Sequence, residues 1–171
     1  KGLSNDEQSR NQAANYFAGI FKNDKRKKLT FEKNWKMNEE ELSTLGEEIF
    51  NSDFIGSCLK YAPKGKAPGI SQITNEILSS FTILITPLLS VWFKFCFFTG
   101  IIPKGWNETT IIPVFKKGNK TSIENYRPIS LLENVRKIYE RCMEIHIKEK
   151  MIPLEMQQGG FRKGRSTLDQ V

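Results

Sequence analysis

Apolar side chains recur at helical intervals over most of the chain, so their pattern predicts a mainly helical protein. The first such segment covers residues 4–21, and an acidic, amphipathic one covers residues 38–50. A third helix is predicted to follow Ser52 or Asp53, because either side chain can cap a helix. The side chains of this third helix predicted to face the core are Phe54, Ile55, Cys58 and Leu59.

The most apolar run, residues 81–102, is long enough to span a bilayer, which takes about 20 residues. Lys94 interrupts it, and Thr86-Pro87 looks like an N-cap followed by the first position of a helix. The pattern therefore favours two core helices, 74–85 and 86–99, over a membrane span, which stays open as an alternative. The side chains predicted to face the core are Leu88, Trp92 and Phe95.

A long helix is predicted from Asn134, a candidate N-cap, to about Lys150. Its apolar stripe consists of Val135, Ile138, Tyr139, Cys142 and Ile145. Basic side chains lie mainly off this stripe, either paired with nearby glutamates or available to nucleic acid. The basic residues are Arg136, Lys137, Arg141 and Lys148, and the glutamates are Glu133, Glu140 and Glu144.

Between these helices the pattern becomes that of a β-hairpin, which makes the predicted fold class α+β. Residues 109–115 are β-rich, residues 116–120 form a polar turn that contains glycine, and residues 126–132 are a second apolar run. Pro128 suits an edge strand, because it cannot donate a backbone hydrogen bond.

Cations lie on both limbs of this hairpin, at Lys116, Lys117 and Arg127. A mobile edge hairpin of this kind can grip a polyphosphate, because arginine offers a planar fork and lysine a point charge. The alternative is a solvated turn in which Arg127 forms a surface salt bridge with Glu124.

The net charge of +7 is concentrated in the C-terminal part of the chain. Residues 104–171 contain 13 Lys and Arg against 8 Asp and Glu, whereas residues 1–103 contain 13 against 11. This excess favours an anionic partner such as nucleic acid, although a merely soluble basic surface is the alternative.

Cysteine and histidine usage excludes several kinds of site. The three scattered cysteines, Cys58, Cys96 and Cys142, indicate small buried side chains in a reducing compartment, not a disulfide framework. A lone histidine, His146, excludes a zinc cluster built on several histidines and weakens any Ser/His triad. No secretory signal opens the sequence.

Four sequence blocks occur in an order and spacing that resemble one known family. They are Lys66-Ala67-Pro68-Gly69 with Asn75-Glu76-Ile77-Leu78, the block 100–106 (GIIPKGW), the block 125–132 (NYRPISLL), and the block 158–170 (QGGFRKGRSTLDQ). Together they are similar to the fingers of a reverse transcriptase of the non-LTR (LINE-type) retrotransposon family.

The resemblance implies the N-terminal part of a right-hand polymerase fold, an RNA-directed DNA polymerase. Residues 1–62 would be a helical linker, and residues 63–171 the fingers and the start of the palm. The expected partners are RNA template, DNA primer, deoxynucleotides, and an upstream endonuclease and downstream palm and thumb of the same polyprotein, with no membrane. Mg²⁺ would bind in the full-length enzyme, to aspartates beyond Val171, and not to this part of it. An intracellular nuclear or cytoplasmic ribonucleoprotein is expected.

The resemblance also assigns site residues. Arg127 would hold the phosphates of the incoming nucleotide, with Lys116 or Lys117 assisting from the facing limb. Template or other nucleic-acid contacts would come from Lys66, Gly69, Gly160, Phe161 and Arg162. From the sequence alone, a loop anchored by a buried Phe161 is an equally good interpretation.

The sequence departs from the family pattern at two positions. Ser71 replaces a carboxylate and Gln72 a glycine, which puts the local turn and its hydrogen bonds in question. A degenerate or domesticated RNA-binding module without catalysis is therefore a second hypothesis. The capping-box pattern at residues 167–170 predicts that a helix begins there, which suggests a fragment of a longer protein.

Overall fold

The computed structural model describes residues 6–22 and 38–150 and the single residue Gly164. Within these residues the chain forms α-helices, short 3-10 turns and one two-stranded antiparallel sheet, which agrees with the predicted α+β class. The helices are α1 (Glu7–Phe21), α2 (Glu39–Ile49), α3 (Ser52–Lys60), α4 (Asn75–Ser80), α5 (Thr82–Thr99) and α6 (Asn134–Lys150). The strands are β1 (Thr110–Phe115) and β2 (Tyr126–Leu131), and the 3-10 turns are Lys104–Asn107 and Ile123–Asn125.

An aromatic cluster joins the helices into one core. Phe50, between α2 and α3, is fully buried and stacks on Tyr139 of α6 with ring centroids 5.0 Å apart. Phe93 of α5 meets both rings edge-on, and Trp106 closes the cluster 5.2 Å from Tyr139. Ser90 also donates a hydrogen bond to the Phe50 carbonyl (2.6 Å). The core therefore ties α5 and α6 to the segment that joins α2 to α3.

The prediction that helices break at Thr86-Pro87 is wrong. The break lies at Phe81, and α5 then runs continuously from Thr82 through Pro87 to Thr99. Pro87 is the sixth residue of α5, so it removes one backbone hydrogen bond, to the carbonyl of Ile83. Because Ile83 is 90% exposed, water can reach this end of the helix and satisfy that carbonyl.

The predicted inward face of α5 is also wrong. Leu88 and Phe95 are 69% and 53% exposed, and Trp92 is 39% exposed. The buried side chains are Thr86, Leu89, Ser90, Phe93 and Cys96. When a helix is apolar on nearly every side, its sequence does not show which side faces the core. The contacts with neighbouring elements then decide which side is buried.

By length and composition alone, α5 could cross a membrane, and it is the one such helix among the described residues. In this structure 28% of its apolar window is buried. Its exposed face carries Ile83, Leu84, Leu88, Val91 and Phe95. Core helices of soluble proteins pass the same test, so the preference for a domain outside the membrane stays a prediction.

Two of the predicted helix N-caps, those of α3 and α6, are wrong. Asn51 caps α3 by accepting hydrogen bonds from the N–H groups of Asp53 and Phe54, so neither Ser52 nor Asp53 is the cap. Asn134 is the first residue of α6 and not its N-cap: its side-chain oxygen accepts from the Lys137 ammonium (3.0 Å), and its side-chain amide donates to the carbonyl of Ile73 (2.8 Å). Asn134 is fully buried and instead holds the loop before α4 against α6.

Candidate nucleic-acid interface

The predicted hairpin is present, and its register sets which cations share a face. β1 pairs antiparallel with β2, and Val114 lies opposite Arg127. The N–H of Lys116 donates to the carbonyl of Asn125 (2.9 Å), which extends the ladder one step beyond the strands. Since opposed residues point to one face and neighbours alternate, Lys116 and Arg127 share a face, whereas Lys117 lies in the turn beyond the ladder.

The opposite face of the hairpin is organised by aromatic contacts. The rings of Phe115 and Tyr126 meet edge-on with centroids 5.4 Å apart, and the Lys120 ammonium lies 5.5 Å from the Phe115 ring centroid. The Tyr126 hydroxyl donates to the Lys120 carbonyl (2.8 Å). Lys120 is thus held against the aromatic face, which distinguishes it from Lys116 and Arg127.

The cations of the hairpin are exposed and are not neutralised by neighbouring carboxylates. Lys116, Lys117 and Arg127 are all exposed, and none is in an ion pair within the described part of the chain. The alternative of a salt bridge between Arg127 and Glu124 is therefore not seen. The face can offer its full positive charge to an anion.

The hairpin is tied to the helices at its base. Arg136 of α6 donates a short hydrogen bond to the carbonyl of the buried Trp106. The hydroxyl of Thr109 donates to the carbonyl of Leu131 (2.8 Å), which closes the open end of the sheet. At the other end Gly118 has φ 90°, and a Cβ there would lie 2.9 Å from Asn125 Oδ1. The turn thus needs glycine at this position.

The Lys66–Gly69 block packs against the start of α6 through a buried carboxylate. Glu133 accepts hydrogen bonds from the N–H of Ser71 (2.8 Å) and from its hydroxyl. Gly69 is buried, and a Cβ there would lie 2.8 Å from the Glu133 backbone and carboxylate. This close approach requires a glycine. Glu133 therefore serves this loop and is not paired with a basic residue of α6, as had been one alternative.

The two departures from the family pattern form a well-defined turn. The N–H of Gln72 donates to the carbonyl of Gly69 (3.2 Å), and its side-chain amide donates to the same oxygen (3.0 Å). Gln72 has φ 61°, a conformation that glycine adopts readily. The turn and its hydrogen bonds are therefore formed despite the two departures. Ser71 supplies hydrogen-bond donors to Glu133 in place of a charge, and Gln72 adopts the glycine-like conformation.

Glu76 fixes the loop that carries Lys66. Its carboxylate accepts a hydrogen bond from the N–H of Gly65 (2.5 Å), and this bond is the main cause of a lowered pKa of Glu76. The Thr74 side chain and the nearby Lys64 lower that pKa further. Lys66 itself is exposed, so the loop presents its ammonium to solvent.

Some predicted site residues lie outside the described residues. Gly160, Phe161 and Arg162 belong to this group, as does the capping-box pattern at 167–170. Among the described residues, no group of three or more His, Cys, Asp or Glu side chains could hold a metal ion. The Mg²⁺ site that the resemblance implies is expected beyond Val171, so it stays a prediction.

The chain is similar to several curated proteins of transposons and other mobile elements, although no protein-family model matches it. The chain is 32% identical over 121 residues, 68% of its length, to a probable RNA-directed DNA polymerase from transposon BS of Drosophila melanogaster. It is 30% identical over 113 residues, 64% of its length, to the RNA-directed DNA polymerase from mobile element jockey of the same species. It is 24% identical over 174 residues, 99% of its length, to the transposon TX1 uncharacterized 149 kDa protein of Xenopus laevis. The matched segment is 12–13% of the length of these relatives.

Proposed function

We propose that this chain, a distant homologue of the polymerase proteins of non-LTR retrotransposons, is a fingers portion that binds the incoming deoxynucleotide and the template. The observation that carries the proposal is the hairpin register, which puts Lys116 and Arg127 on one exposed face. Within the part of the chain that the structure describes, no carboxylate is paired with either. A cationic face of this kind suits a triphosphate better than a neutral or cationic ligand.

Arg127 would be the principal phosphate ligand, and Lys116 would assist. The guanidinium can present two parallel N–H groups to phosphate oxygens, whereas the ammonium supplies a compact charge. Phosphoryl transfer gains mainly from positioning and from stabilisation of charge, so these residues would contribute to rate as well as to binding. Lys117, in the adjoining turn, is the other candidate for this assisting role.

The remaining assignments follow from the same homology. Lys66, and the block of Gly160, Phe161 and Arg162, would contact the template, while Gly69 keeps the Lys66 loop close to α6. Residues 1–62 would link an upstream endonuclease to the fingers that begin at residue 63, and palm and thumb would follow. Mg²⁺ held elsewhere in that enzyme would stabilise charge on the transferring phosphoryl group. Primer, RNA template and an intracellular ribonucleoprotein belong to this proposal.

The role of Arg127 can be tested in an enzyme that joins this chain to the metal-binding carboxylates of its family. Arg127→Ala should raise KM for deoxynucleotides by roughly 10- to 100-fold, because a hydrogen bond to a charged group contributes about 1.5–3 kcal/mol. Arg127→Lys should have an intermediate effect, since lysine cannot form the bidentate contact. Primer extension at varied deoxynucleotide concentration measures both.

Lys120→Ala is the matched control, because Lys120 lies on the same hairpin but is held against the aromatic face. It should leave the deoxynucleotide dependence unchanged. Normal KM values for Arg127→Ala would move the phosphate role to another cation and contradict the assignment.

A further inference from the structure

A cavity of about 580 Å³ opens between α3 and α6, under the loop that carries Lys66. Its floor is apolar, formed by Phe54, Ala62, Pro63, Ile138 and Ile145. The volume lies in the range of pockets that hold small organic ligands. None of the residues that line it belongs to the hairpin, so it is separate from the proposed deoxynucleotide site.

The polar part of the cavity is positive. Lys66, Lys137 and Arg141 line it, and no Asp or Glu does among the residues that the structure describes. Two of these cations are oriented by neighbours on α6: Arg141 donates to Glu144 (2.9 Å), and Lys137 donates to Asn134 Oδ1 (3.0 Å). Lys66 is exposed and has no side-chain partner within the described part of the chain, so it is available to a ligand.

An aromatic ring stands at the edge of the same cavity. Tyr61 follows the last residue of α3, lines the cavity and is 78% exposed. The Lys60 ammonium lies 5.8 Å from its ring centroid. A large exposed ring beside an apolar floor gives a planar base a surface to stack on, and the surrounding cations suit a phosphate backbone.

We propose that this cavity binds one nucleotide of single-stranded RNA, with its base between Tyr61 and the apolar floor and its phosphates against Lys66, Lys137 and Arg141. The RNA would be the template of the proposed function, on which this inference rests for its biological meaning. A peptide ligand is less well matched, because the cavity combines one sign of charge with a flat aromatic edge. It would therefore be a second nucleic-acid site, on the helical body.

Cys58 offers a reporter inside the cavity. It is half-buried and lines the cavity, whereas Cys96 and Cys142 are buried. The pKa of Cys58 is lowered to about 7, first by a hydrogen bond with Cys142 and then by the charge of Arg141. The lowered pKa favours the thiolate form of Cys58, which is the form that alkylating reagents attack.

The test is alkylation of Cys58 by iodoacetamide near pH 7, with and without a short single-stranded oligoadenylate RNA, read by mass spectrometry of peptides. Bound RNA should slow alkylation of Cys58 in proportion to occupancy and leave Cys96 unchanged. Raising the salt concentration should remove this protection, because phosphate contacts release counterions. Saturating RNA that leaves the rate at Cys58 unchanged would overturn the proposal.

Matched variants sharpen the result. Tyr61→Ala should weaken protection by about tenfold, the order of one lost base stack, while Tyr61→Phe should keep it. Lys66→Ala should weaken protection, and Lys104→Ala, an exposed lysine outside the cavity, should not. Equal losses for Tyr61→Phe and Tyr61→Ala would contradict stacking.

Two further experiments distinguish binding of an RNA strand in the cavity from binding of a free nucleotide and from binding at the hairpin. Adenosine monophosphate should protect far less than the oligonucleotide at equal nucleotide concentration, and equal protection would show a free-nucleotide site instead of a strand site.

Arg127→Ala should leave Cys58 protection intact. If it abolishes protection, the RNA is held at the hairpin and the cavity proposal fails. If protection persists but Arg127→Ala has normal deoxynucleotide dependence, the proposed function of the hairpin fails alone.

Discussion

At the scale of single residues, Gln72 shows two opposing effects of similar size. Its positive φ of 61° costs a residue with a side chain about 1–2 kcal/mol. Its side-chain amide offsets part of this cost with a hydrogen bond to Gly69, and such bonds contribute about 0.5–1.5 kcal/mol. Alanine would keep the strain without the hydrogen bond, whereas glycine would remove the strain and add flexibility to the unfolded chain.

We therefore expect Gln72→Gly to change the free energy of unfolding by less than about 1 kcal/mol, while Gln72→Ala lowers it by about 1 kcal/mol. The glycine variant should be the more stable of the two, the reverse of their order inside an ordinary helix. Denaturant unfolding of the three proteins measures this order. An alanine variant as stable as the glycine variant would mean that φ at this position is not the controlling factor.

The neighbouring Ser71 shows what sequence reasoning could and could not reach. The sequence identified positions 71 and 72 as unusual and placed them in a loop, which the structure confirms. It did not identify Glu133 as the partner of Ser71, because that carboxylate lies 62 residues away in the chain. Long-range polar contacts leave no periodic signal, and Gly69 was noted for its motif and not for its packing against Glu133.

At the scale of elements, α5 and α6 differ in how well their sequences set their orientation. The charged residues of α6 mark its outer side, and the predicted stripe with Ile138 and Cys142 is buried as expected. α5 has a single charged residue, Lys94. Neither its buried side nor its first residue could therefore be predicted from the sequence. The inward stripe is the one that carries Phe93, whose ring packs against Phe50 and Trp106.

Two phenylalanines of α5 give a direct test of its phase. Phe93→Ala should lower the free energy of unfolding by about 3–5 kcal/mol, because it empties a fully buried aromatic site. Phe95→Ala should have a much smaller effect, since Phe95 is 53% exposed. Thermal or denaturant unfolding of both variants checks the difference. Equal losses would mean that the exposed face of α5 is covered in solution.

At the scale of the whole molecule, ion pairs neutralise some basic side chains and leave others available to an anionic ligand. Glu47 and Glu48 at the end of α2 pair with Lys94 and Lys150, and Glu48 Oε1 lies 3.6 Å from His146 Nδ1. Glutamates of α6 pair within their own helix. The hairpin cations have no such partners in the described residues. Within the described residues, the hairpin and the Lys66 loop therefore present exposed cations that no ion pair neutralises.

Binding of single-stranded RNA should accordingly weaken steeply as salt concentration rises. Each phosphate contact contributes about 0.7 to the slope of log affinity against log salt. Replacing Lys116, Lys117 and Arg127 together with alanine should reduce that slope by up to about 2 if all three contact phosphate. Fluorescence anisotropy at several salt concentrations measures the slopes. No binding at low salt, or an affinity that does not change with salt concentration, would contradict a phosphate-based interface.

The two prolines that face each other across the hairpin, Pro113 and Pro128, restrict how the strands can slide. Neither has an N–H, so each fits only at a ladder position where no donor is needed, and here both occupy one such position together. A slip of one residue would set a proline where the ladder requires a donor and would turn Arg127 away from Lys116. The paired prolines thus disfavour every register that is shifted by one residue. They thereby keep Lys116 and Arg127 on the same face, although the two strands bury little side-chain surface.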